Sequence, residues 1–573
     1  MESLSQEVID RISSYLDKND LQSTLLVSPS FQVAAERQSG AFSIAELKPE
    51  ATSAERFLNT YQDRRFHYLQ HVHFRTSFPA KYWDWETMDL VMEKEELPCR
   101  CNAEELLEKD RHFTNQIRLL FKTLKALEER IAEKNINMGG VELTIFTPTQ
   151  EIMLGEWCWH QIYTSWRIHL LEPEMLPDIS LVRSLKIKHG APVGMENGDE
   201  QYPAVRKIDW KIIPTLAGKL PRLERLICRI GGDEWPCRLK CKIARHFLHD
   251  WEGPRRDSRR DFGIAMENFS IPSLRNVDLD FINPLGHALT LDHQKKLPDL
   301  VFPAPCDPFS SNLRIFSSQL RSMNLRGVFD STLFWPEDAT TATPTWPGLE
   351  SISVMFHVST PSGGWYFDGL RNENGASKGF RITKAHYPPL SSTAEDEEMD
   401  SNCDYINWDG MRWATFRAVP REDTLVPFLT AFAKAASHMP SLKQAALWCP
   451  LKILAPCVSP FYDTYVGEGL LDSEFYALNS KSSLYKIAWG IAYTAPGEEN
   501  FVHGEDPLQC RGLFWRVGKQ WRPSTELRKF FQQIGRERYG EDLYESFEQR
   551  VYGKGLVPRE VFRRRFEADD LVR

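Results

Sequence analysis

The stretch EDTLVPFLTAFAKAASHMPSLKQAAL, residues 422–447, holds the pattern that decides the fold. Leu425, Phe428, Leu429, Phe432 and Ala435 recur at helical spacing, so residues 422–438 read as an amphipathic helix that ends at Met439-Pro440. Pro440-Ser441-Leu442 then leads into Ala445 and Leu447, spaced two apart as on one side of a strand. The order is helix, proline, strand. The same proline-led signature, Pro-x-Leu-x-x-apolar-x-apolar, recurs at Pro221/Leu223/Leu226/Cys228, Pro272/Leu274/Val277/Leu279 and Pro347/Leu349/Ile352/Val354.

Chance decides whether this pattern carries information. Three apolar slots alone match at about 7% of positions in such a chain, which is worthless. Requiring proline and then leucine lowers the expectation to roughly 0.6 matches, against the four present. Looser copies without proline are Leu69/Val72/Phe74, Val182/Leu185/Ile187, Leu320/Met323/Leu325 and Leu484/Ile487/Trp489. A leucine-rich-repeat-like unit fits: two apolar residues point the same way from a short strand, a third fills the turn before it, and neighbours stack to bury the face. From Val182 onward, successive copies lie about 29 to 51 residues apart with one gap of 93 between Leu349 and Leu442, so the array is irregular. That gap contains Gly363-Gly364 and the acidic run Glu395 to Glu398, and residues of about 362–404 read as a mobile surface insertion. Arg255 to Arg260, basic but interrupted by Asp257, reads as a solvated loop.

Upstream, residues 104–134 carry a helical apolar stripe through Leu106, Leu107, Phe113, Ile117, Leu120, Phe121, Leu124 and Leu127, most simply core. At the N-terminus, Ile9, Ile12 and Leu16 lie on one helical face. Asp20 is placed to cap a second helix beginning at Leu21, and Ser28-Pro29 is placed to open a third. Three helices within forty residues cannot enclose much core, so something else must cover them.

These first residues resemble the F-box, the helical module by which substrate adaptors of cullin-RING ubiquitin ligases dock on a small Skp-type linker protein. The match runs through Leu4, Glu7, Val8, Ile9, Ile12, Leu16, Asp20-Leu21, Leu25, Val27-Ser28 and Phe31, with Ser5 where the family usually has proline. Serine there is expected to cap the first helix. The resemblance implies a linker-docking face made of Leu4, Ile9, Ile12, Leu16, Leu21, Leu25, Val27 and Phe31. Asn407 to Met411, Thr415 to Pro420 and Trp489 to Tyr493 are similar to a region of filamentous-fungal F-box-like proteins, which has no assigned activity. The expectation is therefore an α/β chain: a three-helix F-box at 1–40, a helical linker region with the first repeat-like strand at 41–135, and an irregular leucine-rich-repeat-like αβ solenoid at 136–573. Its last part, from about 405, is the region of unknown function.

Composition narrows the function classes. The chain has 573 residues, 26% charged and 42% hydrophobic, with a net charge of −9. An acidic balance disfavours nucleic acid as the main ligand. No run of apolar residues is long enough for a membrane span, and the first residues lack the order of a signal peptide. Eleven scattered cysteines suit a reducing compartment, so a cytoplasmic or nuclear location is expected. Seventeen Trp and 33 Phe are read mainly as filling between irregular repeats, with a minority left for recognition.

Chemical motifs are weak by comparison. Gly375-Ala376-Ser377-Lys378-Gly379 has the spacing of a nucleophile elbow without its strand and helix context. Cys237, Cys241, His246 and His249 match no common zinc spacing, and Cys99-Arg100-Cys101 reads as two thiols in a loop. Trp-rich stretches at 82–85 and 157–159 suit a sugar platform less readily than burial. No catalytic, metal or cofactor residues are assigned. The resemblance implies a non-enzymatic adaptor that joins a Skp-type linker and a cullin-RING ligase to an unknown protein substrate. A non-ligase F-box scaffold and an enzyme with a site in the aromatic-rich body stay open as alternatives.

Overall fold

A computed structural model describes residues 4–79, 100–134, 139–150, 165–190, 206–231, 246, 251–267, 269–283, 289, 291–337, 343–369, 376, 378–401, 415–451, 487–499, 506–518, 521–547, 557–558 and 562. The chain is a mixed α/β protein built on one large, mainly parallel sheet. Its strands are β1 (Ile44–Leu47), β2 (His71–Phe78), β3 (Val141–Gln150), β4 (Val182–Lys188), β5 (Arg225–Gly231) and β6 (Asn276–Asn283). The two-residue β7 (Pro298–Asp299) stands outside the sheet. It is followed by β8 (Ser322–Gly327) and β9 (Ser351–Phe356), the short β10 (Phe367–Asp368), β11 (Phe380–Arg381) and β12 (Val419–Pro420), and then β13 (Gln444–Leu451). The sheet ends with β14 (Ile487–Thr494), β15 (Arg511–Arg516), β16 (Leu543–Ser546) and β17 (Val557–Pro558), the last of which pairs with β14.

From β1 to β13 the main strands pair in sequence order and in parallel. The register is continuous. Ala45, Val72, Leu143, Leu185, Leu226, Val277, Met323, Ile352 and Ala445 stand side by side in one row, and Leu47, Phe74, Ile145, Ile187, Cys228, Leu279, Leu325, Val354 and Leu447 form the next. Every residue in both rows is buried, because side chains two apart share one face and that face is covered. All four proline-led copies and three of the four looser ones lie in these rows. The fourth, Leu484/Ile487/Trp489, does not. Leu484 lies outside the described residues, and β14 runs antiparallel to β13 with Ile487 beside Leu451 and Trp489 beside Cys449. An apolar alternation fixes which residues share a face but not the direction of the strand.

The rows share one core with the helices that connect the strands. In chain order the helices are α1 (Gln6–Ser13), α2 (Lys18–Thr24), α3 (Pro29–Ser39), α4 (Ala51–Thr60), α5 (Ala103–Glu133), α6 (Ile212–Gly218), α7 (Glu252–Glu267), α8 (Pro308–Ser317), α9 (Ala394–Ser401), α10 (Glu422–Ser437), α11 (Thr525–Gln532) and α12 (Arg536–Tyr539), of which α1, α2 and α3 precede the first strand and stand outside this core. In α5, Asn102 and Glu105 form a reciprocal capping box at 2.9 Å each way, and Phe113, Ile117, Leu120, Phe121, Leu124 and Leu127 are buried while Leu107 is exposed. The core begins at Ala45, so residues 41–135 belong to the same packed body as the later strands. Aromatic rings fill it: Trp210, Phe262, Phe281 and Phe309 meet at 4.6–5.6 Å between ring centroids, and Trp346, Trp365, Trp448, Trp489 and Trp515 are fully buried.

Two expected loops are packed instead. Arg255 to Arg260 lies inside α7, where Arg259 is buried against the Asp307 carboxylate and also donates to Val328 O at 2.7 Å. Its position in the helix turns that guanidinium inward to a partner, which satisfies the charge. The insertion after Pro361 contributes buried Trp365, Tyr366 and Phe367, and its acidic run forms α9. Asp396 of that helix is fully buried and accepts from Arg100 at 2.7 Å and pairs with His246 at 2.7 Å. Charge density along a sequence does not register a partner that lies 296 residues away.

Candidate docking face of the N-terminal helices

Each of the first three helices begins where backbone N–H groups find an acceptor. Ser5 occupies the cap position of α1 through its carbonyl, which accepts from Val8 N at 3.1 Å and Ile9 N at 3.2 Å; its hydroxyl makes no cap bond. Asp17, not Asp20, caps α2 by accepting from Asn19 N and Asp20 N at 2.9 Å each, so the helix starts earlier than Leu21. Ser28 Oγ accepts from Phe31 N at 3.3 Å with Pro29 at the first helical position, and Gly40 closes α3 at φ +62°.

The core these helices enclose is small and separate, made of Ile9, Phe31 and Ala34. Leu21 is buried as well. Three of the eight expected docking residues, Ile9, Leu21 and Phe31, are therefore turned inward, because a helix trio needs at least one apolar residue per helix to hold together. Leu16 is half-buried, and Leu4, Ile12, Leu25 and Val27 are exposed. The outward set also includes Val8, Tyr15 (78% exposed) and Leu26 (95% exposed). Val8 stands four residues before Ile12, on the same side of α1. Among the described residues, seven of the fifteen exposed large apolar side chains fall between Leu4 and Val27. A concentration of that kind marks an interaction surface, whereas single exposed apolar residues do not. Tyr15 and Leu26 escaped the sequence reading because a helical stripe gives the apolar face without saying which side of it meets the body.

The helices are fixed to the body on their other side. Glu36 of α3 is buried and accepts from Arg65 at 2.6 Å and Arg64 at 3.1 Å, residues just before β2. Burial alone would raise the Glu36 carboxyl, but the hydrogen bonds and charges of Arg65 and Arg64 outweigh it and hold it below the usual range.

The opposite face of the sheet carries the residues that alternate with the two apolar rows, between and beside them. Glu142 bridges His71 at 3.1 Å and Lys186 at 2.9 Å, Asp278 lies 3.8 Å from Arg229, and Asp280 pairs with Arg326 at 3.1 Å. At β13 this face is covered, with Trp448 stacked on Phe562 at 5.2 Å.

Elsewhere, charged clusters are committed to structure. Asp110 and Asp209 are both raised, chiefly by burial, and both meet His169: its backbone N–H donates to Asp110 at 2.8 Å and its Nδ1 lies 3.5 Å from Asp209. Asp209 also caps the turn into α6 by accepting from Lys211 N at 2.8 Å. Buried His293 accepts from Phe416 N and Arg417 N at Nδ1, 2.9 Å each, which suits a neutral ring; burial holds it well below the ordinary value. Among the described residues, no group of three or more His, Cys, Asp or Glu could hold a metal, and no helix is long and apolar enough to cross a membrane. Cys99, Cys237, Cys241, His249, Gly375, Ser377, Asn407 to Met411 and the Trp-rich stretches at 82–85 and 157–159 lie outside the described residues. No family model and no curated protein matches the chain.

Proposed function

We propose that the chain is an F-box-type substrate adaptor of a cullin-RING ubiquitin ligase, acting in the cytoplasm or nucleus. The N-terminal helices dock a Skp-type linker, and the rest of the chain, an irregular leucine-rich-repeat-like solenoid, presents a protein target to it. The adaptor itself performs no chemistry. It holds a target lysine near a charged conjugating enzyme, which raises the effective concentration of one for the other.

The observation that carries this reading is the concentration of outward apolar side chains at Leu4, Val8, Ile12, Tyr15, Leu25, Leu26 and Val27, on α1 and in the turns that flank α1 and α2, in a helical trio whose own core is only three residues. Each such side chain gains up to about 1.5–3 kcal/mol when buried, before the cost of association is subtracted. The sheet favours the target-presenting role, since its in-register rows leave charged residues such as Lys186, Arg229 and Asp278 on the face away from the helices.

Co-purification tests it. The tagged chain is expected to capture a Skp-type linker, and Ile12→Glu or Leu26→Glu to abolish capture. Both side chains are exposed, so unfolding should move by no more than about 0.5 kcal/mol. Undiminished capture by both variants would refute the docking role.

A further inference from the structure

β1 (Ile44–Leu47) is the last strand on its side of the sheet, and among the described residues no strand pairs with its outer edge. Its ladder to β2 fixes which backbone groups face outward. Ser43 O accepts from His71 N at 2.9 Å while Ile44 stands in register with His71, so Ser43, Ala45 and Leu47 turn their N–H and C=O groups toward β2. Alternate residues of a strand turn theirs the other way, which puts Phe42, Ile44, Glu46 and Lys48 on the outer edge. The chain closes both ends of that edge itself: Tyr61 Oη donates to Phe42 O at 3.1 Å, and Lys48 N donates to Ser53 Oγ at 3.0 Å. Between them Ile44 and Glu46 present two N–H and two C=O groups that meet no acceptor or donor among the described residues.

The side chains of this window are on the surface as well, Ile44 46% exposed and Glu46 57% exposed. Edge strands are ordinarily guarded by charge, proline or a cover. Here Glu46 supplies a charge, yet Ile44 is the one exposed large apolar side chain among the described residues of the strands from β1 to β13. Its row across the open face continues through His71, Glu142, Ser184 and Arg225, all polar.

We propose that this edge takes the protein target: an extended segment of the target adds as a further strand beside β1, with an apolar side chain next to Ile44 and a lysine or arginine two positions away next to Glu46. The target's role rests on the adaptor reading, whereas the strand addition does not. Backbone spacing decides the form of the occupant, since donors and acceptors repeating every second residue along a strand are met together by another extended backbone. Charge decides its composition. Glu46 holds His73 at 2.8 Å and Arg75 at 3.9 Å on the β2 side, and its outer side faces solvent in a chain of net charge −9. A cation beside it across the new strand pair is favourable, and a like charge is not. Position fits too: only Gly40 to Ser43 separate β1 from α3, so a segment held here lies beside the helices that carry the docking face.

The test selects a displayed library of random peptides of about ten residues, enough to span a strand, on the full-length chain. Selected peptides should share an apolar and a basic residue two apart and, on binding, slow amide exchange at Ile44 and Glu46. Glu46→Pro removes an N–H that the ladder to β2 does not use, a change an edge strand tolerates, and should weaken the selected peptides by about tenfold or more. Glu46→Ala keeps that N–H and should stay within about fivefold, the range of one cross-strand charge pair. Methylating the peptide amide that faces β1 should abolish binding to the unaltered chain, whatever the variants do to folding. Both Glu46 variants should capture the Skp-type linker as the unaltered chain does, so a failed edge and a failed docking face give different results. Enrichment of no peptide, unchanged exchange at Ile44 and Glu46, or equal binding by Glu46→Pro overturns the proposal. So does slowed exchange at those amides that needs no peptide and grows with chain concentration, because a second copy then holds the edge.

Discussion

Asp330 shows how a single carboxyl senses its surroundings. It caps the turn Ser331–Leu333, accepting from Thr332 N at 3.0 Å, while burial first and the neighbouring Asp307 second push its carboxyl up to about 7. A carboxyl raised in the folded state keeps a proton that the unfolded chain has lost. The stability it contributes is complete below the ordinary value of 3.8 and is lost as pH rises toward about 7. Asp330→Asn keeps a capping oxygen and removes the titration. Urea unfolding at about pH 4 and about pH 8 should show the variant gaining on the wild type at the higher pH; parallel curves would contradict the assignment. None of this was legible in the sequence. Asp307 and Asp330 are 23 positions apart, and only the fold brings both to Arg259 and Ser310.

At the scale of elements, the parallel ladder and the N-terminal helices differ in what each side chain is for. Leu279 is at the centre of the ladder, between Cys228 and Leu325, and is 1% exposed. Leu279→Ala should cost about 2–5 kcal/mol through the lost burial and the cavity left. Ile12→Ala on α1, where the side chain faces outward, should stay within about 0.5 kcal/mol. Equal losses at the two positions would mean that α1 packs on its own body. The ladder was largely legible because proline stops a helix, leucine fills the turn and two apolar residues follow at strand spacing, as in Pro272/Leu274/Val277/Leu279. β3 was missed since Gly140 stands where the turn-filling residue should be, and β1 although Phe42/Ala45/Leu47 keeps the spacing. The inward turn of Ile9, Leu21 and Phe31 was not legible, because a helical stripe looks the same whether its partner is the neighbouring helix or another protein.

For the molecule as a whole, one core runs from Ala45 to Phe562 and a second, far smaller one joins α1 to α3. Glu36 joins them through Arg64 and Arg65, so the helices are carried on the first strands with their apolar side chains outward. This division of labour predicts a footprint. Amide hydrogen exchange of the full-length chain, measured with and without a Skp-type linker, should show new protection confined to residues 4–27, with the strands from β2 to β13 unchanged. Protection across the sheet with none at the N-terminal helices, or no binding at all, would contradict the docking account.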